Sequence, residues 1–263
     1  MARHGELGRA PILPWQETQW RWFLRVLDAG RLAHALLLSG PEGTGKQTFA
    51  RLAAARLLCR APAPNGACGD CKSCLLVEAG AHPDLVLASP EEAGKAISVD
   101  TVRATTAFAG KKAMLGGWRV IVINSVDALT INATNALLKT LEEPGEDTAI
   151  FLLHHDRGRL LATIRSRCQQ LAMPMPSTTQ AVDWLHTHLA AVGKSLEHDE
   201  LERLLALAGG RPQRALRLLE SEQLAQLGKI EQALTAIARG ELSPLAGADL
   251  AKNLPLYDIV ERL

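Results

Sequence analysis

Residues Gly40–Gln47 read GPEGTGKQ, a spacing that can close around phosphate. In the pattern G-x-x-x-x-G-K-[ST], glycines let backbone N–H groups wrap phosphate oxygens at a helix N-terminus. The lysine adds a point charge and the final hydroxyl binds Mg²⁺. Gly40, Gly45 and Lys46 match, and Gly43 adds turning freedom inside the loop, but the hydroxyl position holds Gln47. Thr48 is one residue on, which turns it about 100° round a helix. Ancestry as a phosphate-loop fold follows from this pattern. Hydrolysis does not, and ATP binding is left open.

A second group is Cys59, Cys68, Cys71 and Cys74, four of the five cysteines, spaced C-x8-C-x2-C-x2-C. Four thiolates suit tetrahedral Zn²⁺, and close pairs let one turn of backbone supply neighbouring ligands. Gly66 and Gly69 permit the turns, while Pro62 and Pro64 stiffen the connection. Four exposed free thiols at this density would invite oxidation, so structural zinc is the expectation. With every ligand position filled by sulfur, the site is read as structural rather than catalytic. Cys168 stands apart and reads as a small core residue.

The elements that must position these groups alternate between helix and strand from about Gln16 to Leu171. Trp20, Phe23, Leu24 and Leu27 recur at helical spacing; HALLLS (34–39) is a strand running into the glycine loop; 47–58 is rich in helix formers. Continuous apolar runs at 85–87 and 120–123, with 148–153 and 168–171, predict strands of a parallel sheet covered on both faces. Helices are expected over 98–108 and 131–141. After Pro174-Met175-Pro176 strand signals stop, Ser177 is placed to cap a helix, and 201–207 and 212–219 read as further helices. The fold class is therefore α/β: a P-loop domain over 1–173 carrying the cysteine module at 59–74, a small helical domain over 174–221, and the start of another helical piece over 222–263 that reads as truncated.

A P-loop ATPase also needs an apolar strand ending in a carboxylate for Mg²⁺, and a residue to orient the attacking water. The strand RVIVIN ends in Asn124-Ser125, and the nearest carboxylate, Asp127, falls in the turn beyond. The reading is that this chain does not hydrolyse ATP. A competing reading is an autonomous ATPase using Thr48 or Asp127 instead.

Bulk composition narrows the remaining classes. The 263 residues carry a net charge of +1, with 47% hydrophobic and 22% charged, so there is no global field for nucleic acid and no case for disorder. Arg60, Lys72 and Lys111-Lys112 could form a local basic patch, but no aromatic is interleaved to stack bases. No apolar run is long enough to cross a bilayer, and Met1–Ala10 has no leader pattern, so the chain is read as cytoplasmic without a membrane partner.

HALLLSGPEGTGK at 34–46, the four-cysteine insert, HPDL at 82–85, ISVDTVR at 97–103, NALLKTLEEP at 135–144 and IRSRC at 164–168 together resemble the clamp-loader branch of AAA+ proteins, the family of the bacterial tau/gamma and delta-prime subunits. The resemblance implies an AAA+ fold, with 174–221 as its lid and 222–263 as the beginning of a helical collar. It implies that Arg167, within Ser166-Arg167-Cys168, is an arginine finger reaching a neighbour's nucleotide, an always-charged planar group aimed at phosphate in trans. It also places Glu142 near that neighbouring site, His154 and Gln213 where the family's nucleotide sensors stand, and Arg211 and Arg214 beside the second sensor.

Lys46-Gln47 and Asn124-Ser125 depart from a tau/gamma motor, whereas the trans-acting arginine is kept and LPWQ (13–16) resembles the start of delta-prime chains. The resemblance then implies a non-hydrolysing delta-prime stator. It would belong to the DNA polymerase III holoenzyme, a DNA-directed DNA polymerase, and help load a sliding clamp onto primed DNA beside tau/gamma and delta subunits. It would not be catalytic alone. The alternative within the family is a hydrolysing tau/gamma-like motor.

Overall fold

In the computed structural model, residues 11–90, 95–155, 160–220, 235–240 and 243 are described. The chain divides into two compact units after Met175. The readings for 222–234, for 241–242 and for the apolar end of the chain lie outside the described residues.

The first unit is built on a five-stranded parallel sheet, β1 (Ala35–Ser39), β2 (Leu85–Ala88), β3 (Arg119–Asn124), β4 (Thr148–His154) and β5 (Gln169–Ala172), in the spatial order β2-β3-β4-β1-β5. The apolar runs become central strands because both faces are covered. Leu36 and Leu38 of β1, Val120 and Val122 of β3 and Phe151 of β4 pack into one cluster; Leu37, Ile121, Ile123, Ile150 and Leu152 point into the other. Register pairs Ser39 with His154 and Asn124 with Leu153, so β1, β3 and β4 end together. Connections between parallel strands leave loops at this carboxyl edge, where ligands of such sheets gather.

Seven-residue α3 (Lys72–Glu78) and four-residue α6 (Ala162–Arg165) are short; the longer helices of this unit are α1 (Glu17–Asp28), α2 (Lys46–Leu58), α4 (Val99–Ala109) and α5 (Ile131–Glu142). Helix α2 starts from Gly45, which sits at φ 92°, a conformation that favours glycine. Ala50, Ala53 and Ala54, all fully buried, let its backbone come close to the sheet, and Phe49 fills the space against Trp20 and Phe23. Ser98 and Thr130 cap α4 and α5 by accepting the N–H of Thr101 and Ala133.

Two features were not legible in sequence. Helix α3 forms inside the cysteine segment because Cys71 caps it, accepting the Cys74 N–H through sulfur. Arg119, which looks like a strand flank, is 2% exposed and donates through Nη1 to the carbonyls of Phe108 and Ala109, satisfying the end of α4.

The second unit contains α7 (Thr178–Ala191), α8 (His198–Leu207) and α9 (Pro212–Glu220). Ser177 caps α7 in a reciprocal box with Gln180. Val182, Leu185, Leu189, Leu201, Leu204, Leu205 and Leu218 form its core. Among the described residues no helix is long and apolar enough to cross a membrane.

Candidate functional site

The glycine loop leaves β1 and closes on itself. Gly40 passes so near β5 that a Cβ there would lie 2.5 Å from the Met173 carbonyl oxygen. Thr44, fully buried, donates its hydroxyl to Pro41 O at 2.9 Å. The Thr44 carbonyl accepts from Trp15 Nε1 at 2.8 Å and from Gln16 Nε2 at 2.9 Å. The PWQ turn is thus stapled across the loop, a clasp that sequence reasoning missed and that no local pattern in PILPWQETQ signals.

Lys46 is 2% exposed, and its ammonium donates to Pro41 O at 2.6 Å and to Gly40 O. In a working phosphate loop this charge meets the β- and γ-phosphates. Here two backbone carbonyls of the loop hold it, and phosphate would have to draw it away from them. Gln47, at the magnesium-hydroxyl position, is exposed, and Thr48 is half-buried.

At the neighbouring strand ends, Asn124 closes β3, the position at which the sequence reading looks for a magnesium carboxylate. Ser125 adopts φ 95°, a costly conformation for a residue with a Cβ. Its hydroxyl donates to Asp127 Oδ2 at 3.1 Å, and the His155 N–H donates to the same oxygen at 2.8 Å. Asp127 Oδ1 lies 3.1 Å from His154 Nε2, within ion-pair distance though without hydrogen-bond alignment. Asp127 therefore braces the strained turn, which counts against its use as a substitute metal ligand. His154 faces this carboxylate from the end of β4. Arg211, Gln213 and Arg214 lie in the second unit, at the start of α9, all half-buried.

Arg167 follows α6 and is 34% exposed at the side chain. Its Nη1 donates to Thr163 O at 3.0 Å and its Nη2 meets Glu142 Oε1 at 2.5 Å. Ser166 also donates to Thr163 O, at 3.1 Å. Cys168 packs against the second core cluster, and burial pushes its thiol up to about 12, as befits an inert core residue.

The four module cysteines converge. Their sulfurs all lie within 4.8 Å of one another. The closest approaches are 3.4 Å between Cys59 and Cys68, 3.5 Å between Cys71 and Cys74, and 3.9 Å for Cys59–Cys71 and Cys68–Cys74. A tetrahedron of metal–sulfur bonds near 2.3 Å requires sulfur separations of about 3.8 Å, so the cluster could hold a metal ion. The Cys68, Cys71 and Cys74 N–H groups donate to the sulfurs of Cys59, Cys68 and Cys71 at 3.3–3.4 Å. Burial acts to raise the Cys71 thiol, but the N–H groups of Arg60 and Cys74 and the adjacent thiols outweigh it and bring it to about 6. N–H donation from Asp70 and Cys71 lowers Cys68, while burial raises Cys59 and Cys74. N–H donation therefore favours the thiolate at Cys68 and Cys71, while burial opposes it at Cys59 and Cys74.

The module is fastened to the sheet by the HPDL segment. His82 accepts the Asp84 N–H at Nδ1 (3.0 Å), so Nε2 carries the proton and donates to Ser73 Oγ at 2.6 Å. Asp84, 1% exposed, accepts the N–H groups of Met114 and Leu115 at 2.6 and 2.8 Å.

A five-stranded parallel sheet with a glycine loop after β1 and a buried loop lysine at the head of α2 defines an α/β P-loop domain. Solved structures agree on the fold. A mutant RuvB from Thermotoga maritima matches with TM-score 0.52 over 92% of this chain and 71% of its own, at 14% identity. A DNA polymerase III gamma subunit-related protein from the same organism matches with TM-score 0.50 over 91% and 78%, at 17% identity.

Sequence comparison is more specific. A family profile described as "DNA polymerase III, delta subunit" matches residues 15–177. The DNA polymerase III subunit delta' of Pseudomonas aeruginosa is 42% identical over 249 residues, 94% of this chain and 74% of that protein. The delta' subunit of Escherichia coli is 36% identical over 84% of this chain and 65% of its own length. A tau/gamma subunit of Haemophilus influenzae matches at 34%, over 74% of this chain and 28% of its own. The chain belongs to the family of DNA polymerase III delta' subunits.

Proposed function

We propose that this protein is the non-hydrolysing stator of a DNA polymerase III clamp loader, and that it acts on ATP only through its neighbour. The observation that carries this is a division of labour within one fold. The lysine of its own loop is bound to loop carbonyls and the strand ends in Asn124, while Arg167 stands partly exposed beside the end of α5. A pocket without magnesium ligands cannot split a phosphoanhydride, but a guanidinium can still stabilise charge in the pocket beside it.

In this reading residues 1–173 are the AAA+ domain and 174–221 the lid. The partners are tau/gamma and delta subunits, with the sliding clamp and primed DNA met through the complex, in the cytoplasm. The ion of the cysteine module is zinc. Four sulfurs leave no open coordination position, so its part is to fold the segment between α2 and β2.

The test is DNA-stimulated ATP hydrolysis by the assembled loader carrying Arg167→Ala. Arginine fingers contribute about 10³–10⁵ in rate in GTPases, so loss of most turnover at each site that Arg167 completes is expected. Unchanged turnover by a loader that assembles normally would reject the trans role. Magnesium-dependent ATP cleavage by the isolated chain would favour a motor instead.

A further inference from the structure

Glu142 ends α5, where aligned peptide dipoles leave partial negative charge and a carboxylate is disfavoured. Glu143 follows it as the cap, which adds to the mismatch. The helix end is nevertheless firmly held. Leu141 is buried and its carbonyl accepts His34 Nε2 at 3.0 Å, while the Thr140 hydroxyl donates to the Thr106 hydroxyl at 3.0 Å. From this fixed point the carboxylate reaches Arg167 Nη2 at 2.5 Å, as Thr163 O takes Nη1 at 3.0 Å.

The two acceptors come from different elements and bind different nitrogens. A planar guanidinium held this way is fixed in rotation as well as in place, with the rest of its five donors left to another acceptor. We infer that Glu142 is a positioning residue for Arg167: it holds the guanidinium in one orientation before a neighbouring subunit presents nucleoside triphosphate. The inference rests on the trans role of Arg167 proposed above.

Glu142 is itself 50% exposed, so water screens its charge and the ion pair adds little to stability. Its effect should therefore appear in rate. Orientation prepared in advance lowers the barrier of the chemical step more than it improves ground-state binding, which predicts a change in kcat rather than in KM.

The experiment measures kcat and KM for DNA-stimulated ATP hydrolysis by the assembled loader with Glu142→Ala, Glu142→Gln, Arg167→Ala and the Glu142→Ala/Arg167→Ala pair. Glu142→Ala should lower kcat about tenfold at the affected sites and leave KM within about twofold. Glu142→Gln, which keeps an acceptor oxygen, should recover part of the loss. In the Arg167→Ala background, Glu142→Ala should have no further effect.

If Arg167→Ala slows turnover while Glu142→Ala leaves it unchanged or faster, the positioning role is wrong and the trans role survives. A Glu142→Ala effect that persists in full without Arg167 also overturns it. An Arg167→Ala loader with normal turnover removes both readings at once. If Glu142→Ala does not assemble, Glu142→Gln decides, since a kcat equal to that of the native loader excludes a role for the charge.

Discussion

Lys46→Ala should weaken the fold of this chain while leaving ATP turnover by the assembled loader intact, because the lysine serves its own loop. The ammonium is 2% exposed and donates to Gly40 O and Pro41 O. Hydrogen bonds from a charged donor contribute about 1.5–3 kcal/mol each, so the two amount to roughly 3–6 kcal/mol. Against this stands the cost of burying an ammonium, an effective several kcal/mol after relaxation. On removal Pro41 O keeps the Thr44 hydroxyl. The net loss should be about 1–3 kcal/mol, in the usual range for breaking a buried polar network. For a chain of this size each kcal/mol moves the melting temperature by about 2–4 °C, giving a drop on the order of 5 °C.

Thermal denaturation of the isolated chain followed by circular dichroism reads this directly, and ATP provides the control. A ligand at about 100 times its Kd would stabilise by about 2.7 kcal/mol, whereas a loop whose lysine is already engaged should show no comparable rise with Mg-ATP. An unchanged melting temperature in Lys46→Ala would refute the structural role. So would strong ATP stabilisation of the native chain that Lys46→Ala abolishes, since the lysine would then be serving nucleotide.

Two further outcomes follow from the cysteine module. The purified chain should carry one zinc per molecule by elemental analysis, and chelation or Cys74→Ser should lower the melting temperature and expose 59–82 to proteolysis; a metal-free chain of equal stability would dismiss the structural ion. His82, whose pKa burial lowers, with Arg60 adding to the shift and Asp84 opposing it, is held neutral between Ser73 and Asp84. Its unfolded pKa is near 6.5 and its folded pKa lies below that, so its stabilisation is complete above about pH 6.5 and is lost as pH falls through the folded value. With zinc in excess, denaturant titrations should show a shallower acid loss for His82→Gln than for the native chain; parallel curves would remove His82 as the titrating group.

The sequence alone determined the order of the strands and longer helices and which candidate groups for chemistry are present. Local periodicity is read from neighbours along the chain, which is why HALLLS, RVIVIN and 148–153 were recognisable as covered parallel strands and Ser177 as a cap. The phosphate loop, its missing hydroxyl, Asn124 and the four-cysteine spacing are likewise local patterns.

Only the tertiary structure decided what each group touches, because those contacts join residues far apart in sequence. Trp15 and Gln16 reach Thr44 across nearly thirty positions, |i−j| of 29 and 28. Glu142 meets Arg167 from another element, and Asp127, a spare carboxylate on paper, is already held by Ser125 and the His155 N–H. Spacing along a chain fixes which groups are present; the direction in which a buried lysine or a guanidinium donates depends on which acceptors the packed sheet brings within 3 Å of it, and no periodicity encodes that.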